Sequence, residues 1–427
     1  MISGMGMSET VGIIPLATLT ILSSAALVYA FFRLTPKAEA FVSLFWFTVA
    51  INATVFSQVT ISGLLYPFYL GLLLILFLRL FLGGLRFDPR LLWLIAGFLF
   101  VVMLSFMSTT APVDHDTFQT VIAMLLCPAI VLALGARVNL AATTAAAVAA
   151  STVIAVWVWV SAARGGFQYR GNIPANENDA AFMLGLGLVV TIALALGLKG
   201  RSFRTFGPTL VLLSVLMTYA LILLASRGMT VAFGIALAGM LAHLIRADYR
   251  KLWVVGLVIA MGAVSITLPG GDGIIKRFEG ESLESAGDRT PIWQATLESY
   301  ADGTPFQILL GHGFEASRLV VRAATGTLSS THNTGIAILY NFGAMGLLLF
   351  LAVHAFGLVQ SFLSPSPAAI VATGLLWFLL GSGLTSAAHA SFMYWIALGV
   401  ALALATHSQV VQTLEAQPDR LAECAES

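Results

Sequence analysis

Thr331-His332-Asn333-Thr334-Gly335 closes a polar interruption that begins near Leu268, and it opens onto a long apolar run. On both sides of the interruption the chain is almost wholly apolar. The fold is therefore decided by how these two kinds of sequence are partitioned. Arg277, Arg289, Arg318 and Arg322 stand inside the interruption and His332 at its end, a concentration of polar chemistry that the flanking apolar runs lack.

Working outward, the 427 residues are 59% hydrophobic and 10% charged, with a mean hydropathy of +0.93. Soluble domains carry roughly a quarter charged residues, and apolar runs of spanning length recur throughout, so an all-α polytopic transmembrane protein is expected. In lipid no water satisfies a strand edge, which leaves the helix as the form of each run. Runs bounded by polar, Gly or Pro residues fall near 11–32, 38–55, 59–84, 91–109, 117–136, 140–162, 180–198, 206–225, 229–245, 252–268, 334–360, 368–386 and 390–406. That is about thirteen spans, or twelve if 38–84 divides differently. The expected organisation is one transmembrane domain over 1–427, with a loop insertion at 269–333.

Arg33 and Lys37, Arg79 to Arg90, Arg137, Lys199 to Arg204, and Arg246 to Lys251 fall at alternate connections. The positive-inside rule assigns these to the cytoplasm. The segments 109–116, 164–179, 226–228 and 269–333 then face outward, into the periplasm. The first apolar stretch lacks a basic lead and runs at spanning length, so no cleavable signal peptide is expected. A net charge of +1 gives no nucleic-acid footprint, and Cys127 and Cys424 suggest neither a disulfide framework nor a metal site.

Arg227 lies between two apolar runs at their outer ends. A charge there is costly unless it meets water or a partner, so it either serves a ligand or snorkels to headgroups. Arg289 precedes Thr290-Pro291-Ile292-Trp293, which reads as a helix start with Thr290 as cap and Pro291 at the first helical position. Trp293 and Leu297 would share a face lying on the membrane surface. Arg164 and Arg170 flank Gly165-Gly166 on another outer loop. Guanidiniums converging on one outer cavity would suit a diphosphate, since Arg donates forked hydrogen bonds and stays charged.

His332 stands directly before a helix expected from about Thr334. As a neutral imidazole it could take a proton from a sugar hydroxyl, or it could simply bond to the helix start. His312, between Gly311 and Gly313, reads as a turn residue at the rim, and His389 as a second candidate near the same cavity. His243, His354 and His407 read as packing residues. His115, within Asp114-His115-Asp116, lacks ligand spacing. Asn176, Asn178 and Asp179 precede an apolar span, as helix caps or sugar contacts. No Walker loop, His-Glu-x-x-His or Gly-x-Ser-x-Gly motif occurs.

Gly311-x-Gly313, then His332-Asn333, then Gly343-Ala344-Met345-Gly346-Leu347 together resemble the O-antigen ligase and polymerase family of bacterial envelope glycan assembly. Ser226-Arg227-Gly228 is similar to that family's Ser-Arg-Gly element, and Arg289 with Trp293 to its loop arginine and aromatic. The resemblance implies a C-type membrane glycosyltransferase fold in the bacterial inner membrane, working at the periplasmic face without metal or cofactor. It further implies that Arg227 and Arg289 engage an undecaprenyl-diphosphate-linked glycan donor. His332 would activate a hydroxyl of the lipid A-core acceptor, with Arg164, Arg170, Asn178, Asn333, His312 and Trp293 as substrate contacts. Polymerase and protein O-oligosaccharyltransferase activities on the same donor stand as alternatives. A flippase would instead place charges near the bilayer midplane and show related halves, and a scaffold would merely bind glycan.

Overall fold

The computed structural model describes residues 88–107, 115–134, 140–162, 177–197, 200–247, 252–268, 274–275, 289–327 and 329–415. The expected spans at 11–32, 38–55 and 59–84 lie outside these, as do Arg164, Arg170, Asn176 and Arg277 and the side chains of His115 and His407. Every regular element among the described residues is helical. The chain runs through α1 (Pro89–Met107), α2 (His115–Leu134), α3 (Leu140–Ser161), α4 (Glu177–Gly197), α5 (Gly200–Leu223), α6 (Arg227–Ala247) and α7 (Leu252–Thr267). The insertion then contributes α8 (Arg289–Ala301), α9 (Pro305–Leu310) and α10 (Ala316–Thr325). The chain closes with α11 (Thr334–Phe362), α12 (Pro367–Thr385) and α13 (Phe392–Glu415). Among the described residues seven helices are long and apolar enough to cross a membrane, α4, α11 and α12 included.

The boundaries follow local chemistry. Ser366 accepts from the Ala369 amide at 3.1 Å and caps α12, with Pro367 at the first helical position, where its missing N–H costs nothing. Asn333 caps α11 in the same way, its Oδ1 accepting from the Ile336 amide at 3.0 Å.

Helix α4 is the buried centre, packed by α3, α5, α6 and α12. With no hydrophobic drive between helices in lipid, close approach by small residues decides such contacts. Gly374 of α12 accordingly packs against Val189 of α4 and Met240 of α6. Gly197, at the end of α4, meets Pro367 at the start of α12, so these two helices are antiparallel. The start of α4, the start of α6 and the end of α12 thus share one end of the bundle.

Helix α11 is broken at Gly343, whose φ of 70° and ψ of −175° lie outside helical space. The break changes the bonding around it. His312 donates its amide to the Tyr340 carbonyl at 2.9 Å and Gly313 to the Asn341 carbonyl at 3.3 Å. Ser105 at the end of α1 donates to the same Asn341 carbonyl at 2.5 Å, and the Asn341 side chain accepts from the Ser317 amide at 2.9 Å. The glycines of Gly311-x-Gly313 and Gly343 therefore serve one joint, where the insertion backbone is laid against a spanning helix.

Candidate active site

The site is assembled around the last turn of α12. Three consecutive carbonyls there accept from three different parts of the chain: Leu384 from Asn333 Nδ2 at 3.2 Å, Thr385 from Arg289 Nη1 at 2.6 Å, and Ser386 from Thr334 Oγ1 at 2.9 Å. A helix C-terminus leaves its final carbonyls without intrahelical partners and carries partial negative charge. It is therefore a natural seat for a guanidinium, and a hydrogen bond from a charged donor contributes about 1.5–3 kcal/mol. One short platform thus brings Arg289 to the residues flanking His332.

Arg227 arrives at the same place by a different route. Helix α5 ends in a left-handed Ala225, Ser226 is buried, and Arg227 opens α6 half-buried. Gly228 then lies so close to Thr385 that a Cβ would sit 2.6 Å from Thr385 Oγ1. Thr385 thereby touches the arginine-bearing start of α6 through its side chain and holds Arg289 through its carbonyl.

His332 is left-handed, with φ of 52°, an uncommon backbone for a residue with a Cβ. Strain of this kind persists where neighbours over-determine it. Here Trp293 donates its indole N–H to the Thr331 carbonyl at 2.8 Å, Thr331 Oγ1 donates to the Asn333 carbonyl at 2.9 Å, and Asn333 is fixed as the α11 cap. The imidazole Nε2 is 3.4 Å from Ser329 Oγ. Burial, and secondarily the positive charge of Arg289, hold the ring below the ordinary histidine pKa. The shift favours the neutral form, which keeps a nitrogen lone pair free to accept a proton at neutral pH.

The acid limb of the pH–rate profile is accordingly expected below the usual histidine range. In Arg289→Gln the cation is gone and the imidazolium is less disfavoured, so the limb moves up. Arg289→Lys keeps the charge and leaves the limb near its original position. Burial remains in both, so the return is partial. NMR titration of ring-labelled histidine reads the same shift without turnover.

Other expectations are placed differently. Thr290 lies inside the first turn of α8, because the helix begins at Arg289. The buried face of α8 is Ile292 and Thr296. Trp293 is half-buried and donates its indole N–H to the Thr331 carbonyl, while Leu297 is exposed. Trp293→Phe keeps the ring and removes the donor, which is worth about 0.5–1.5 kcal/mol. A roughly two- to tenfold fall in turnover is expected in steady-state assays of that variant.

His312 sits in the Gly311–Gly313 turn with its ring stacked on Tyr340, centroids 4.3 Å apart, and its Nε2 is buried against Gly303. It belongs to the α9–α11 joint. His389 is buried; burial pushes its pKa down to about 4. Its amide lies 3.4 Å from Thr334 Oγ1 and its carbonyl accepts from Trp395 Nε1 at 2.6 Å, so it backs the platform from behind. Asn178 lies in the first turn of α4, which begins at Glu177, and is exposed at the site end of the bundle. Arg318 pairs with Glu315 at 3.8 Å, and Arg322 is exposed on α10. His354 is a packing residue, bonded to the Phe350 carbonyl and the Tyr394 hydroxyl, each at 2.9 Å. His243 likewise packs, its Nδ1 lying 3.2 Å from Thr373 Oγ1.

The family model described as O-antigen ligase matches residues 212–351, which contain Arg227, Arg289, His332 and the Gly343 joint. Over this segment, about a third of its length, the chain is similar to the O-antigen ligase family. An O-antigen ligase of Pseudomonas aeruginosa is 29% identical over 165 residues, or 38% of this chain and 38% of that protein. The carbonyl platform at 384–386 lies outside the ligase-family segment. Sequence reasoning missed it because it consists of backbone groups, which any residue type supplies. The one legible trace was Ser366-Pro367, which fixes where α12 starts and hence, by length, where it ends.

Proposed function

We propose that the chain is a membrane glycosyltransferase of the O-antigen ligase type, moving a preassembled polysaccharide from undecaprenyl diphosphate to a sugar of lipid A core. The observation that carries this reading is the gathering of a half-buried, neutral His332 and Arg289 at one helix end, inside the segment that matches the ligase family. His332 takes the proton of the acceptor hydroxyl as its oxygen attacks the anomeric carbon. The bond from that carbon to the diphosphate oxygen breaks on the opposite face, so configuration inverts. Negative charge grows on the departing diphosphate, and Arg289 with Arg227 stabilises it where it forms. The proton stays on the imidazole until product leaves. On this reading the site faces the periplasm from the inner membrane, and Arg164, Arg170 and Asn178 complete the donor cavity.

The test is a chromosomal deletion complemented with variants. Loss of a ligase leaves long chains on the polyprenyl carrier and bare lipid A core. Wild-type protein restores capped core, and Arg289→Ala and His332→Ala do not, although both insert in the membrane. A single repeat unit attached to core in the deletion strain would identify a polymerase instead. Transfer by the purified protein is expected to continue in the presence of a chelator.

A further inference from the structure

The insertion contains a helix that the proposed chemistry does not use. Helix α9, Pro305-Phe306-Gln307-Ile308-Leu309-Leu310, is apolar at five of six positions and has no buried residue. Phe306 is 60% exposed and Leu309 47%, and their spacing places them on one face. A loop helix surrounded by water would not be expected to leave such a face bare.

Its attachment places it below the loop. Gly311 at its end and Gly343 of α11 approach so closely that a Cβ on Gly343 would overlap the Leu309 carbonyl. Gly343 is nine residues beyond Thr334, roughly 13 Å along the helix axis from the site end. The end of α1 reaches the same level, since Ser105 bonds to the Asn341 carbonyl and Phe106 packs edge-on against Phe314. Both neighbours present bare apolar faces there, with Met107 of α1 82% exposed and Leu348 of α11 64% exposed. Both are helices fit to cross a membrane. By contrast, α10 displays Arg322 and belongs in water.

We infer that α9 is an anchor immersed in the lipid leaflet at the site end of the bundle, with the Phe306 and Leu309 face covered by acyl chains. Its occupant is lipid because the face is continuous with the lipid-facing sides of α1 and α11. Through the Gly311–Gly343 joint the anchor ties the insertion to a fixed depth in the bilayer.

The test uses full-length protein in phosphatidylcholine nanodiscs, with Cys424→Ser and the buried Cys127 left in place. A single environment-sensitive fluorophore is carried at Phe306→Cys or, in a separate protein, at Arg322→Cys. At position 306 the emission is expected to be blue-shifted, quenched by lipids bearing a doxyl group near the glycerol, and shielded from aqueous iodide. At position 322 the quenching pattern reverses. Iodide access without doxyl quenching at 306 would overturn the inference. Shielding from both quenchers would overturn it too, since a second copy or another protein would then cover the face. Leu309→Cys carries the same measurement should the first variant fail to insert. No transfer assay enters, so the outcome is independent of the reaction assigned above.

Discussion

Replacing His332 by Ala is expected to lower turnover by about 10²–10⁴, the usual contribution of a positioned general base. The expectation follows from where the ring is held. Its backbone is left-handed, the residue before it is pinned by Trp293 and the residue after it caps α11. The imidazole is half-buried, and desolvation together with the charge of Arg289 favours its unprotonated form. Alanine removes the ring and leaves these backbone contacts available, so insertion and thermal unfolding should change little. Binding of the lipid-linked donor should also persist, because Arg289 is anchored to the Thr385 carbonyl independently of the ring. Donor binding by isothermal titration and transfer by product analysis, on the same preparation, separate the two. Equal loss of both would show that His332 holds the site together, and unchanged transfer would remove it from the mechanism.

Most of the membrane framework was legible, for a physical reason. In lipid an apolar run of sufficient length has one available structure, so composition alone sets the helices. The run expected from 334 begins at Thr334, that from 252 at Leu252, and that from 368 at Pro367. Arg227 stood out because a charge at the edge of an apolar run must be satisfied by something, whereas Arg289 drew its weight from the family resemblance and His332 from its residue type and the adjacent Asn333 at the end of the polar loop. The bond from Trp293 to the Thr331 carbonyl was not legible, because residue type gives a helix face but not the direction of an indole N–H. The Thr385 carbonyl was invisible for the same kind of reason: a backbone acceptor has no letter of its own. Gly343 was quoted as part of a motif, yet glycines also occur within unbroken spans such as α4, so sequence did not distinguish a packing glycine from a break.

That distinction yields the second large effect. Gly343→Ala is expected to detach the insertion from α11 at a cost of about 3 kcal/mol or more, combining backbone strain with steric displacement. At φ of 70° and ψ of −175° the residue is in a region essentially restricted to glycine, and a Cβ would overlap the Leu309 carbonyl. Relief requires either straightening α11 or pushing α9 away. Straightening would restore ordinary helical partners to the carbonyls of Tyr340 and Asn341, which now accept from His312 and Gly313. Either route costs those two amides their acceptors. Hydrogen exchange at His312 and Gly313 should therefore accelerate strongly, while the amides of α4, buried at the bundle centre, stay protected. Because α8 is also held at Arg289 and Trp293, it should remain docked. Transfer should then fall less than in His332→Ala, whereas protease sensitivity near residues 302–313 rises more. Unchanged exchange at His312 and Gly313 would mean that the break in α11 does not depend on glycine and that the joint is held by other contacts.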